Sequence, residues 1–383
     1  MSLKSPLFAL SAVEPDPIFS SAEKAAKDPS SLINATIGVI NDEKGELLVF
    51  DSVKKAIAEN SPCIPYAPIA GDPEFLSSVK RLVFGEFAEN STAVAGCGGT
   101  GSLSVLLHFA FLSGIRKAIL PIPTWANHSK VICASGMTVH EVAYLESAAP
   151  SFNPLKDMVA KINEPCLLVL QTGCHNPTGL DPSLEQWKDL ADYIAGTNHC
   201  VLLDFPYQGL GDGVEEDRIP ISILRESSVP LLVAWSASKN HCIYGLRTGA
   251  ALSLTQNINF RDIHQRHLEI TSRSIVSTLQ ISGQRIVAEI QDNHYNEWSD
   301  ELKNLRSILT EKRRILAEKL PAYSFQILKS RGLFVLIPLP PGAVESIAGN
   351  KIFLTPDGRI NIAAVPMHKI KTLGSAIAKI IKQ

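Results

Sequence analysis

Four uninterrupted apolar runs, Cys166–Leu170, Cys200–Leu203, Leu231–Trp235 and Ala250–Leu254, constrain the fold of this 383-residue chain more than any other feature. A strand with one face in water alternates apolar and polar residues. An unbroken run requires cover on both faces, as in a parallel sheet flanked by helices. Between the first two runs lies Asp181-Pro182-Ser183-Leu184-Glu185, which predicts an N-cap at Asp181 with proline at the first helical position. Trp187, Leu190, Ala191 and Ile194 then recur at helical spacing, and Gly196 ends the pattern. Strand, helix and strand in that order predict an α/β fold.

Composition supports a large core. Hydrophobic residues make up 45% of the chain and charged residues 19%, against roughly 25% charged in ordinary soluble domains. Surface charge this sparse predicts an apolar subunit interface as well. The formal charge, 36 − 38 = −2, excludes a global field that would gather nucleic acid or an anionic membrane. The seven cysteines show no C-x-x-C spacing and read as small buried hydrophobes of a reducing compartment. No apolar run reaches the ~18 residues of a membrane span, and Met1–Val13 lacks the order of a signal peptide. A cytoplasmic protein is expected.

From Gly283 to about Leu320 the pattern reads as one long helix. Its Glu311-Lys312-Arg313-Arg314 segment is interleaved with Glu297, Asp300, Glu301 and Glu318, which predicts a solvated face and not a nucleic-acid patch. Strand-like pieces follow at Leu333–Ile337 and Arg359–Val365, with a final helix from about His368. The expected division is a large unit over 48–305, with 1–47 and 306–383 forming a smaller α+β unit.

Four segments could carry chemistry. Gly96-Cys97-Gly98-Gly99-Thr100-Gly101-Ser102 satisfies G-x-G-x-x-G between a short apolar piece and a helical run beginning at Leu103. A dinucleotide site needs an acid about 20 residues on, and no Asp or Glu occurs from Asn90 to His140. The loop fits a phosphate cradle or a plain tight turn. Asp204 ends an apolar run, at the edge where open α/β sheets bind ligands; alone it would read as a helix cap. Asn176, in His175-Asn176-Pro177-Thr178-Gly179, reads alone as a turn. Lys239, in Ser236-Ala237-Ser238-Lys239-Asn240, follows a buried run and precedes Arg247. Desolvation and a neighbouring cation there would lower its pKa and make the amine nucleophilic.

Together with Tyr66-Ala67-Pro68-Ile69-Ala70-Gly71, the Asp204–Gly209 segment and Gly358-Arg359-Ile360-Asn361, these motifs resemble the pyridoxal-phosphate aminotransferases of the aspartate/aromatic (class I) family. They occur in the family's order over more than two thirds of the chain. The resemblance implies the fold type I architecture: a large domain with a mostly parallel seven-stranded sheet and a smaller α+β domain. It implies pyridoxal 5'-phosphate as cofactor and transfer of an amino group between an L-amino acid, of aspartate/glutamate or aromatic type, and a 2-oxo acid such as 2-oxoglutarate. By the same resemblance Lys239 holds the cofactor covalently and shuttles the proton. Asp204 pairs with the ring nitrogen, where a carboxylate about 4 Å from a cation is worth ~4 kcal/mol at an effective dielectric near 20. Asn176 and Tyr207 donate to the ring oxygen, and Trp125 stacks on the ring with His128 supporting Asp204. Gly99, Thr100, Ser236 and Arg247 grip the phosphate. Arg359 clamps the substrate α-carboxylate, with Trp125 and Asn176 also facing the substrate. Two residues act across a homodimer interface: Tyr66 on the neighbouring phosphate and Arg273 on a distal substrate carboxylate.

Four positions depart from the family pattern. Gly98 stands where many relatives have serine, Gln171 where a histidine is frequent, Ile40 where a second glycine is usual, and Leu279-Gln280 where a proline pair precedes Gly283. A branched Ile40 is expected to reshape the substrate pocket. A β-lyase or decarboxylase with the same cofactor is the alternative reading. A nicotinamide-dependent dehydrogenase built on the glycine loop fails on the missing acid and leaves Lys239 and Asp204 without a task.

Overall fold

A computed structural model describes residues 16–28, 30–60, 65–255 and 257–381. Its centre is a seven-stranded sheet of Ser91–Cys97 (β1), Lys117–Ile122 (β2), Thr138–Ala143 (β3), Cys166–Gln171 (β4), Cys200–Phe205 (β5), Leu231–Ser236 (β6) and Thr248–Leu254 (β7). The strand order is β1-β7-β6-β5-β4-β2-β3. β7 runs antiparallel to both neighbours, and the other pairings are parallel. All four apolar runs are therefore strands, and the last breaks the parallel pattern.

The unbroken runs do feed two cores. Leu168, Leu170, Val201, Leu203, Val233 and Trp235 join one apolar cluster. Their chain neighbours Leu167, Val169, Leu202, Leu232 and Ala234 join a second on the opposite face. Removing a Leu-sized side chain from water contributes about 1.5–3 kcal/mol, so charged groups are excluded from the middle of these strands and gather at their carboxyl ends. In-register pairing sets Gln171 beside Asp204 and Asp204 beside Ala234. Gly249 pairs with Ser236 on one side and Gly96 on the other. A Cβ on Gly249 would lie 2.7 Å from the Gly98 carbonyl group and from the Trp235 carbonyl oxygen, so this close approach needs glycine.

Several local expectations change. The helix after β1 begins at Gly98, not Leu103, and runs to Leu112. The Leu184–Ile194 helix is capped by Ser183 in a capping box with Gln186. Asp181 instead accepts the N–H groups of Cys174 and His175 at 2.8 and 3.0 Å, bracing the turn that carries Asn176. The long helical stretch is two helices, Ser282–Asn293 and Tyr295–Lys319, interrupted at His294. Its basic segment is not uniformly solvated. Arg314 is exposed between Glu311 and Glu318, but Lys312 and Arg313 are buried. Arg313 donates to Ser330 Oγ at 2.8 Å and to the Gly332 carbonyl.

Outside the main sheet, Phe334–Leu336 pairs antiparallel with Arg359–Asn361, and Ile33–Asn34 pairs parallel with Ile352–Phe353. The final helix is Ile370–Ile381. Six described cysteines are free; Cys166, Cys174 and Cys242 are buried as expected, whereas Cys133 is exposed. Cys63 lies outside the described residues. Among the described residues no helix is long and apolar enough to cross a membrane.

Behind Lys239, His241 is fully buried, stacked on Trp298 with ring centroids 4.7 Å apart. Burial pushes its imidazole down to about 3. The unfolded chain binds this proton below about pH 6.5 and the folded chain does not, so the contribution is present above pH 6.5 and lost as pH falls toward 3. At pH 5 the loss is about 2 kcal/mol for one such group. His241→Phe should therefore lose about that much less stability than the parent between pH 7 and pH 5, read from denaturant midpoints. An identical pH dependence in both proteins would contradict a buried neutral His241.

Candidate active site

The polar groups cluster where β1, β4, β5 and β6 end. Gly98, at φ +63°, opens the helix after β1, and its N–H donates to the Arg247 carbonyl at 2.9 Å. A Cβ there would lie 2.4 Å from the flexible Arg247 guanidinium, and the positive φ is the feature that favours glycine. The Gly99 Cβ position lies 3.3 Å from Ser236 Cβ. Ser236 caps the short helix Ala237–Asn240, its Oγ accepting the Ser238 N–H at 3.2 Å. Arg247, in left-handed conformation, reaches Ser238 Oγ at 3.4 Å. Gly98, Gly99, Thr100, Ser236 and Arg247 thus surround one helix N-terminus, an arrangement suited to a phosphate.

Asp204 is buried, with Oδ2 3.1 Å from His128 Nε2. Trp125 stands perpendicular to His128, centroids 5.3 Å apart. Arg359 is 4% exposed; it donates to Asn176 Oδ1 at 3.0 Å and the Thr36 carbonyl at 2.7 Å, and lies over the Phe334 ring. Among the described residues its Nε has no partner. A buried guanidinium with an unused N–H is poised for a carboxylate. The Tyr207 hydroxyl meets the Asn176 side chain, and burial, then the Asp204 charge, pushes its phenol up. Lys239 Nζ donates to the Gly38 carbonyl and lies 4.6 Å from the Tyr244 ring centroid. Burial, then the Arg247 and Arg359 charges, push its amine down to about 8.

Ten of the twelve site residues expected from sequence meet here. Tyr66, 94% exposed, and Arg273, exposed near the C-terminal end of the Ile258–Val276 helix, do not. The sequence reading missed Thr36, Gly38, Tyr244 and Phe334, which touch Arg359 or Lys239. The available signal was Asn361, two residues beyond Arg359: its amide donates to the Ile37 and Val39 carbonyls at 2.6 and 2.7 Å, tying that loop to the site. Ile40 is fully buried in the main core, and its N–H donates to Tyr244 Oη at 3.0 Å. Its side chain packs against the main apolar core. Gln280, where a proline pair was usual, reaches the Leu246 carbonyl beside Arg247.

Residues 30–377 match the profile of the family described as aminotransferase class I and II. The chain belongs to that family. The mitochondrial aspartate aminotransferase of Dictyostelium discoideum is 32% identical to it over 389 aligned positions, covering 96% of this chain and 91% of that protein. The aromatic-amino-acid aminotransferase of Paracoccus denitrificans is 29% identical, covering 96% and 97%. The aromatic-amino-acid aminotransferase of Burkholderia pseudomallei, solved covalently bound to pyridoxal phosphate, superposes with a TM-score of 0.92 over both whole chains at 25% identity. This aminotransferase therefore moves an amino group on pyridoxal phosphate. The helix N-terminus with its arginine, the buried carboxylate, the lowered amine and the unused Arg359 Nε fit that cofactor and an amino-acid carboxylate. Neither elimination nor decarboxylation is favoured, and the dehydrogenase reading is overturned.

Because Arg247 stands first among the charges that lower the Lys239 amine, its loss should raise it. Reductive methylation of Lys239 in cofactor-free protein should be half-maximal near pH 8 and shift to higher pH in Arg247→Gln. A shift to lower pH would contradict the electrostatic account.

Proposed function

We propose that the ten clustered residues divide the work of amino transfer as follows, and that two copies of the chain share their sites. The carrying observation is Arg359, buried, with one N–H unused and lying within electrostatic reach of Lys239. Arg359 clamps the substrate α-carboxylate, a planar two-point task that suits a guanidinium. Gly99, Thr100, Ser236 and Arg247 hold the phosphate, and Trp125 packs against the ring. Asn176 and Tyr207 present hydrogens to the ring oxygen; the raised phenol of Tyr207 keeps its proton to donate. Asp204 faces the ring nitrogen. Pyridoxal phosphate, when bound, supplies the electron sink for the charge left on the substrate Cα. Lys239 Nζ takes the Cα proton and returns it one carbon away. An amine near pH 8 accepts and releases protons readily around neutrality.

The proposed substrates are aspartate/glutamate or aromatic L-amino acids with 2-oxoglutarate as acceptor, in line with the activities in the relatives' names. Residues 48–305 form the proposed cofactor-binding domain, with 1–47 and 306–383 as the small domain. A homodimer is supported by apolar surface on the Ile258–Val276 helix, where Phe260, Ile263, Ile270 and Ile275 are exposed, and by the exposed Tyr66. In that dimer Tyr66 of one subunit reaches its partner's phosphate site, and Arg273 meets the distal carboxylate in its partner's pocket. Six free cysteines favour the cytoplasm.

Two outcomes test this assignment. Lys239→Ala should abolish turnover while still binding the cofactor through its phosphate contacts. Truncating one partner of a desolvated charge pair typically costs about 2–5 kcal/mol, so Arg273→Ala should lower kcat/KM for dicarboxylic substrates by roughly 30-fold or more. Aromatic substrates should lose little. Equal losses for both classes would remove Arg273 from substrate recognition. A fully active monomer in sedimentation would remove the shared site.

A further inference from the structure

Gln171 makes an unusual set of bonds. Its Oε1 accepts the Asn176 N–H at 2.9 Å, and its Nε2 donates to the Asn176 carbonyl at 2.9 Å. This grip on both backbone groups of one residue settles the amide's orientation: reversal would set N–H against N–H and oxygen against oxygen. Nε2 also donates to Thr124 Oγ1 at 3.0 Å. A carboxamide nitrogen donates only, so Thr124 receives that bond and must send its single proton elsewhere. Its other hydrogen-bond partner among the described residues is His128 Nδ1, at 2.8 Å. The far nitrogen of that ring, Nε2, faces Asp204 Oδ2. Gln171, His128 and Asp204 are all buried. If Nδ1 carried a proton, both would point hydrogens into the same gap or leave the Thr124 hydroxyl hydrogen without a partner there.

We propose that Gln171 is a positioning residue that, through Thr124, fixes His128 Nδ1 as an acceptor, so that the tautomer with its proton on Nε2, which the Asp204 carboxylate also requires, is held from both sides. The imidazole then presents an N–H to Asp204 Oδ2, leaving the second carboxylate oxygen for the cofactor. Gln171 thereby couples the Asn176 backbone to Asp204 through Thr124 and His128, joining the two edges of the ring site. Gln171 holds this chain with a group that does not titrate, where a histidine would. The catalytic consequence rests on Asp204 facing the ring nitrogen; the tautomer does not.

The test is ¹⁵N NMR of the full-length protein labelled in its imidazoles, with and without cofactor, the His128 signals being those lost in His128→Gln. The expected spectrum has Nδ1 in the range of an unprotonated nitrogen and Nε2 in the protonated range in both states. In Gln171→Glu the new carboxylate only accepts, draws the Thr124 proton, and turns Nδ1 into a donor, moving its resonance to the protonated range. Thr124→Val, which removes the hydroxyl donor without adding charge, should leave Nδ1 without its hydrogen bond and shift its resonance within the unprotonated range, because the Asp204 carboxylate still accepts from Nε2. A protonated Nδ1 in the parent protein, or unchanged His128 signals in both variants, would overturn the proposal. If the tautomer is as expected but Asp204→Asn leaves the cofactor's absorption unchanged, the reading of Asp204 fails and the tautomer stands.

Discussion

A desolvated lysine placed beside two arginines, one buried and one at the surface, is the constraint on which the site depends. Burial first, then the Arg247 and Arg359 charges, lower Lys239 to about 8. Close cations are costly in a low dielectric unless anions answer them. A bound phosphate and a substrate carboxylate are two such groups. Binding therefore relieves repulsion already built into the protein, and burial, with that repulsion second to it, keeps the Lys239 amine reactive. The fold delivers this because strands covered on both faces expel charge to their ends, and register places Asp204, Ser236 and Gly249 on the same edge.

A second layer of bonds keeps the charged groups where repulsion would scatter them. Asn361 ties down the loop carrying Thr36 and Gly38, whose carbonyls receive Arg359 and Lys239. Asp181 does the same for the Asn176 turn from below, and Gln171 from within the sheet. These groups touch backbone, which is why a site assembled from segments more than three hundred residues apart stays in register.

Much of this was legible in the chain. The apolar runs announced a sheet buried on both faces, and Lys239, Asp204, Asn176 and Arg359 stood in contexts that specify chemistry. What stayed hidden depended on contacts between distant segments. Asp181 before proline reads locally as a cap, yet its carboxylate turns back to Cys174 and His175. Lys312 and Arg313 sit in a stretch that looks solvated, but Ser330 and Gly332 fold over Arg313. Ile40 resembled a pocket residue because its neighbour Gly38 is one, 3.8 Å from Lys239 Nζ at its Cβ position. Tyr66 and Arg273 lie outside the cluster and are exposed, as a task in a second subunit would require.

The central claim is that Lys239, lowered by burial and two arginines, is the amine that carries the cofactor. Borohydride reduction of the loaded protein followed by peptide mapping tests it most directly. The account predicts the reduced cofactor on the peptide that contains Lys239, with no label in Lys239→Ala. Label on any other lysine, or undiminished label in that variant, would contradict it.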